Sequence, residues 1–368
     1  MSFSFGSIFR VTIFGESHGK TIGAVVDGCP AGLQICEDEI QAELDRRRPG
    51  QPLSTSRREQ DSVRIMSGTF NGRSNGGPIA MAIDNTDADS SWYDANRFKP
   101  RPGHADYTAY VKYRGFNDYR GGGFFSGRLT ACMVMGGAVA KKLLSLSGIK
   151  VLAHVVQIGD IQVDSRLIDD GQIEENAVLS PVRCADRGKS DQMVAELKRV
   201  SGANDSVGGA IECRVLNLPV GVGAPIFDSL ESIISHGIFS IPAVKAVEFG
   251  SGFKLSGMKG SEANDAFYIK GGKVAAVTNN SGGILGGISD GMPLLFRVGV
   301  KPTPSIGAVQ RTVDLRRMGN AELQIEGRHD PCVAPRAVPV VEAITSISVA
   351  DVMLRSGCRF ERLADNGE

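Results

Sequence analysis

The chain carries no surplus of either charge: Lys plus Arg and Asp plus Glu both number 41 in 368 residues. A protein that neutralises a nucleic-acid backbone or an anionic membrane presents a positive surface, so neither partner is expected and anion binding must come from local clusters. The seven cysteines include no Cys-x-x-Cys pair and no Cys/His spacing of a zinc site, which leaves scattered reduced thiols rather than a disulfide framework. No apolar run is read as approaching the roughly 20 residues that span a bilayer. Met1–Arg10 lacks a basic start followed by a long apolar run, so no secretory signal is expected. These absences together point to a cytoplasmic location.

What is present is globular. With 42% hydrophobic and 22% charged residues, the chain can bury a sizeable core. Its length allows two domains, but no long flexible linker interrupts it, so one compact unit over 1–368 is favoured. Glycine is frequent, at 46 residues, and clusters at 121–123, 208–209, 271–272, 282–283 and 286–287. Alternating with patterned segments, these clusters suit tight turns around a ligand. Periodicity predicts helices over Glu37–Arg47, Gly127–Leu146, Ser190–Val200, Phe227–His236 and Pro335–Leu354. The second is apolar nearly all round and marks a buried central helix. Strands are predicted over Ile8–Phe14, Ile22–Asp27, Val63–Ser67, Ile79–Ile83, Ala210–Leu216, Val244–Phe249 and Leu294–Val300. Residues 23–68 and 209–250 share a strand, a Pro/Gly loop, a helix and a later strand. This reads as a weak internal duplication around a shared core, although chance similarity explains the same residues almost as well.

Three of the five histidines sit in glycine- and charge-dense segments: His18 in Phe14–Gly19, His104 in Arg101–Asp106 and His329 in Gly327–Cys332. Such loop histidines move protons near neutral pH. His154 and His236 lie in apolar runs and read as core or half-buried. Arg46, Arg47 and Arg48 end the first helix, with Arg57 and Arg58 following; their planar forks suit phosphate and carboxylate, while a solvated helix end fits equally. Arg101, Arg120 and Arg128 add cation density. The loop Tyr119–Arg128 feeds three glycines into the buried helix, where free N–H groups and the positive dipole end face an anion. It lacks the Gly-Lys-Ser/Thr ending of a P-loop and the spacing of a dinucleotide turn. Asn279–Gly287 and Lys301–Ser305 bracket the strand Leu294–Val300 and suit a hydrogen-bonding ring with a phosphate tail, or are plain turns. Ser17 beside His18 does not make a hydrolase, because adjacent side chains rarely point at each other and no nucleophile elbow is expected. Two histidine acids near an arginine-held phosphate fit better.

On these motifs, from Phe14–Gly19 through Arg101–Thr108 and Tyr119–Gly123 to Lys301–Thr303 and Gly327–Cys332, the chain resembles the chorismate synthase family nearly end to end. The resemblance implies an α+β fold, a βαβ sandwich with antiparallel sheets packed around a helical core, assembled as a homotetramer. It implies conversion of 5-enolpyruvylshikimate 3-phosphate to chorismate and phosphate by anti-1,4-elimination, on the shikimate pathway to aromatic amino acids. Reduced FMN is required with no net redox change, lending an electron as phosphate leaves and taking up the C6 hydrogen at N5. The resemblance also associates NADP with the family, and an external source of reduced flavin is expected. Residue by residue, the resemblance makes His18 an acid near the departing phosphate and His104 an acid near flavin N1. Asp330, helped by Ser17, assists loss of the C6 hydrogen. Arg47, Arg48 and Arg128 hold the substrate. Flavin contacts fall to Phe124, Phe125, Ser126, Pro242, Ala243, Gly286, Lys301, Pro302, Thr303, Pro304, Ser305 and Arg328; no metal is implied.

The family's polar positions after the triple glycine are Phe124, Leu129 and Cys132 here, and a customary arginine is Leu53. Contacts at 124 and 125 must then run through backbone atoms. Two rival readings remain. A diverged, non-catalytic flavin-binding protein would bind FMN without releasing phosphate. A histidine phosphohydrolase or phosphotransferase would work without reduced flavin.

Overall fold

The structure, a computed structural model, describes residues 3–48, 61–86, 89–325, 330–358, 360 and 363. Two five-stranded antiparallel sheets enclose a layer of helices. The N-terminal sheet runs Ser4–Phe5, Arg10–Phe14, Thr21–Asp27, Ile79–Asp84, Arg64–Ile65. The C-terminal sheet runs, from its other edge, Ile161–Gln162, Lys150–Ile158, Gly209–Leu216, Leu294–Val300, Val244–Phe249. In each, a strand leads through a helix to a second strand parallel to it, and a later strand slots between the two, antiparallel to both. Each half then ends in a central helix, Thr130–Ser145 or Ala334–Arg355. The weak similarity between residues 23–68 and 209–250 thus has a counterpart in the strand order and direction of the two sheets.

Local chemistry explains the elements. Leu294–Val300 buries every second side chain, Leu294, Phe296, Val298 and Val300, as a sheet with one covered face must. Glu37–Arg47 begins with Glu37, Asp38 and Glu39 and ends with Arg46 and Arg47, matching the helix dipole. The two central helices approach closely because Gly137 has no side chain; a Cβ there would lie 2.2 Å from that of Ala343. One hydrophobic cluster joins Ile22 and Met81 of the first sheet, Met135 and Ile344 of the helices, and Phe296 of the second sheet.

Several expectations need correction. Ala334–Arg355 is long and apolar enough, by length and composition, to cross a membrane, but its apolar window is 94% buried inside the protein. Thr345, Ser346 and Ser348 fit this dry setting by donating their hydroxyls one turn back to Val341, Glu342 and Ile344 carbonyls. His154 is fully buried, but His236 is exposed, its ring edge against Phe5. Gly271 and Gly272 turn an exposed hairpin, far from the core. The strand Lys150–Ile158 and the helices Ser91–Asn96, Asp106–Lys112 and Asp170–Leu179 add to those predicted.

Candidate active site

Arg47 occupies the inward stripe of its helix, one turn beyond Leu44 and two beyond Ile40, so its guanidinium is carried into the interior. There Nη2 lies 3.3 Å from Asp61 Oδ2, and Nη1 donates to Thr130 Oγ1 at 3.2 Å and the Gly127 carbonyl at 3.3 Å. Arg128 grips the other oxygen of the same carboxylate through Nη1, while its Nε donates to Asn85 Oδ1 at 3.1 Å. Asp61 is fully covered. Among the described residues, two guanidinium groups thus converge on one buried carboxylate, and paired guanidinium forks are the side chains suited to phosphate and carboxylate oxygens. Asn85 also holds the Glu16–Gly19 loop, donating to the carbonyls of Glu16 at 3.1 Å and Gly19 at 2.8 Å.

That loop carries Ser17 and His18, and the Ser17 amide donates to the Gly123 carbonyl at 3.1 Å. His18 Nδ1 is 2.9 Å from Ser90 Oγ, and the ring stands edge-on to Tyr93. Gly121, Gly122 and Gly123 all have positive φ, which an L side chain rarely adopts. The first two are also spatially required. A Cβ on Gly121 would lie 2.4 Å from His18 Cδ2, and one on Gly122 would lie 3.2 Å from His104 Cε1. The glycine turn thus runs between the two histidines, His18 on one side and His104 on the other.

His104 Nδ1 lies 2.6 Å from Asp106 Oδ1. Asp106 also takes a two-pronged grip from Arg101, Nε at 2.7 Å and Nη2 at 2.9 Å. Burial lowers the pKa of His104; its hydrogen bond to Asp106 opposes this and the nearby Arg101 reinforces it. Burial alone would raise Asp106, but hydrogen bonds from Arg101 and His104 outweigh it and hold that carboxyl well below the usual range. The tautomer follows: Nδ1–H faces Asp106 and the Nε2 lone pair faces the glycine turn.

Lys301–Ser305 closes this side. Lys301 Nζ donates to the Gly103 carbonyl, Arg101 Nη1 to Ser305 Oγ at 3.4 Å, and the Lys301 amide to the Ala243 carbonyl at 2.9 Å. Pro242 and Ala243 are thereby joined to the same turn. Ser206 Oγ donates to the Thr303 carbonyl at 2.7 Å. Thr303 Oγ1 itself is buried and has no hydrogen-bond partner among the described residues. Asp330 is paired to Arg336, whose Nε reaches the Arg47 carbonyl at 3.3 Å.

A family model described as chorismate synthase matches residues 9–354. A chorismate synthase of Dehalococcoides mccartyi is 53% identical over 97% of this chain and 98% of its own length. One of Methanosarcina mazei is 51% identical over 96% of each chain. A crystal structure of chorismate synthase superposes with a TM-score of 0.76 at 30% identity, covering 95% of this chain and 93% of that one. The chain belongs to the chorismate synthase family. It is accordingly an enzyme, a lyase of the shikimate pathway, with the α+β architecture expected of that family.

Within this family member, the structure brings together Ser17, His18, Arg47, His104, Phe124–Ser126, Arg128, Pro242, Ala243 and Lys301–Ser305 through linked contacts. Ser126 Oγ caps the following turn by accepting from the Arg128 amide at 3.2 Å. Phe124 and Phe125 turn their rings to an aromatic cluster, Phe124 edge-on to Phe3 and Tyr113. Leu129 and Cys132 are buried core residues. Other candidates sit apart. Arg48, which caps the end of that helix, pairs with Asp45 at 3.3 Å, both side chains being partly exposed. Gly286 neighbours the start of helix Leu230–Ile238, where the Leu230 amide donates to Gly287, whereas Ala243 follows that helix's far end. Leu53, Arg57, Arg58, Arg328 and His329 lie outside the described residues. Sequence reading misses Asp61, Asn85, Ser90 and Tyr93, which carry no motif of their own. Gly15–Gly19 spells Gly-x-Ser-x-Gly, but it joins two antiparallel strands rather than a strand and a helix, so no nucleophile elbow exists there.

Proposed function

We propose that this site converts 5-enolpyruvylshikimate 3-phosphate to chorismate and phosphate by anti-1,4-elimination in the presence of reduced FMN. The supporting observation is the glycine turn threaded between His18 and His104 beside the Arg47–Asp61–Arg128 bridge. The residues suit FMN: a buried Thr303 hydroxyl lacks a protein partner among the described residues, Lys301 lies two residues before it, and the 124–126 backbone follows the glycine turn that separates the histidines. Bound reduced FMN would supply the electron density that helps phosphate depart and a place for the C6 hydrogen.

The chain's own work is electrostatic and positional. Arg47 and Arg128, pre-set by Asp61, neutralise the substrate's phosphate and carboxylate oxygens, with Arg48 completing the cluster when it swings from Asp45. Ser90 holds His18 at Nδ1, and in the tautomer where the serine hydroxyl donates there, Nε2 carries the proton directed at the leaving phosphate. His104 is neutral while its surroundings are cationic. An anion arriving at Nε2 raises its pKa, so it gains its proton as the site fills and holds it near flavin N1. Asp330 and Ser17 assist removal of the C6 hydrogen. Pro242, Ala243, Pro302, Pro304, Ser305, Gly286 and Arg328 complete the flavin contacts. Gly286 lies apart from the others within one chain, which supports a site completed by neighbouring subunits of a cytoplasmic homotetramer. The exposed Phe253 (84%) and Ile269 (70%) offer apolar surface for such assembly.

His18→Ala and His104→Ala test the reading. Each variant should fold and bind FMN as wild type and lose most turnover, about 100-fold or more. Wild-type turnover in both would sink it.

A further inference from the structure

A cavity of about 370 Å³ opens where helix Asp170–Leu179 and strand Lys150–Ile158 meet the ends of helices Glu37–Arg47 and Thr130–Ser145. It lies across the first helix from Arg47, and none of the proposed catalytic residues lines it. Its walls are hydrocarbon: Leu144, Ile149, Leu152, Ile173, Val178 and Val338. Its charged lining groups are Arg46, Lys141, Lys150, Arg183, Glu43, Glu174 and Glu342. Three of the four cations are matched. Arg46 and Lys141 each reach Glu342 at 2.6 Å and Glu43 at 2.8 Å, and Lys150 reaches Glu174 at 2.6 Å.

Arg183 is different. It is only 7% exposed, in a left-handed backbone conformation at φ 58. Its guanidinium donates to two carbonyls, Val178 at 3.4 Å and Arg46 at 3.2 Å, and no carboxylate ion-pairs with it among the described residues. Burial and the neighbouring Arg46 pull its pKa down, and the charges of Glu342 and Glu43 only partly oppose this. A buried guanidinium held by carbonyls but by no direct carboxylate contact among the described residues is a place where a ligand can supply the opposite sign. The lining holds four cations and three carboxylates, so a single negative charge balances it. Apolar walls around one polar anchor are the general form of a small-molecule site, and the volume is of the usual size.

We propose that this cavity binds a monocarboxylate with an apolar body, the carboxylate on Arg183 and the hydrocarbon against Ile173 and Val178. Isothermal titration of the full-length protein with 3-phenylpropionate, and with its neutral analogue 3-phenylpropanamide, tests this. Wild type should prefer the carboxylate by about tenfold, the worth of one charge-assisted hydrogen-bonded contact. Arg183→Met should abolish that preference, and Ile173→Trp, which fills the cavity, should abolish binding of both. Because the active site also holds arginines, carboxylate binding that persists in Ile173→Trp would overturn the proposal. So would equal binding of the two probes by wild type, or no binding at all. If Arg183→Met fails to fold, the wild-type preference together with Ile173→Trp decides the matter.

Discussion

Gly121→Ala is the sharpest perturbation of the site. At φ +59 an alanine costs about 1 kcal/mol in backbone strain. Its Cβ would sit 2.4 Å from His18 Cδ2, 2.5 Å from Nε2 and 2.7 Å from Ser17 Oγ. Ordinary contact begins near 3.4 Å, so the imidazole must retreat by about 1 Å. A displacement of that size at a reacting group costs about 100-fold in rate, or about 2.7 kcal/mol of barrier. Stability should fall by only about 1 kcal/mol, a shift of about 1–2 °C in Tm for a chain of 368 residues. Gly148→Ala separates the two effects, since Gly148 has a similar φ of +71 and a methyl added there would meet nothing within 4 Å. The assay is steady-state chorismate formation beside thermal unfolding of both variants. Gly148→Ala should lose comparable stability and keep its kcat, and Gly121→Ala should lose its kcat. A Gly121→Ala enzyme within twofold of wild type would refute the placement of His18 against the glycine turn.

Asp61→Asn removes the carboxylate that holds both buried arginines and should destabilise the fold by about 3 kcal/mol in urea unfolding; a loss under about 1 kcal/mol would contradict the bridge. His104 has a folded pKa below its ordinary 6.5, so the unfolded state binds more protons as pH falls. Its contribution to stability is present above about pH 6.5 and is lost as pH drops toward the folded pKa. The Tm of His104→Gln should therefore fall less steeply than that of wild type between pH 7 and 5, and parallel curves would count against the buried neutral imidazole. Burial pushes the Cys132 thiol up to about 12, whereas Cys36 is exposed. A thiol reagent at pH 8 should label Cys36 rapidly and Cys132 only on unfolding, as peptide mapping would show.

The sequence is most legible where one element obeys one rule. Leu294–Val300 alternates and Glu37–Arg47 carries a charge gradient with an inward stripe, and both match their predicted bounds. Lys150–Ile158 escapes such reading because it is covered on both faces, so its apolar run has no alternation, and His154 within it suggests a core histidine rather than a strand. Ser91–Asn96 and Asp106–Lys112 are too short for helical periodicity to register. In the site, the histidines and the triple glycine are visible as motifs, but the contact that unites them is not. Asp61 lies far along the chain from Arg128, and only folding places its carboxylate between two guanidinium groups. Arg47 is legible in a way the arginine triplet as a whole is not: it falls on the same helical stripe as Ile40 and Leu44, where a surface cation has no place.

The central claim is a flavin-dependent elimination at the His18–Gly121–His104 turn. The most direct measurement is anaerobic release of phosphate from 5-enolpyruvylshikimate 3-phosphate, followed together with chorismate absorbance, with FMN supplied photoreduced or oxidised. Equal amounts of phosphate and chorismate with reduced flavin, and neither with oxidised flavin, is the expected result. Phosphate release that is indifferent to the flavin's redox state, or tight binding of flavin and substrate with no release, would contradict it.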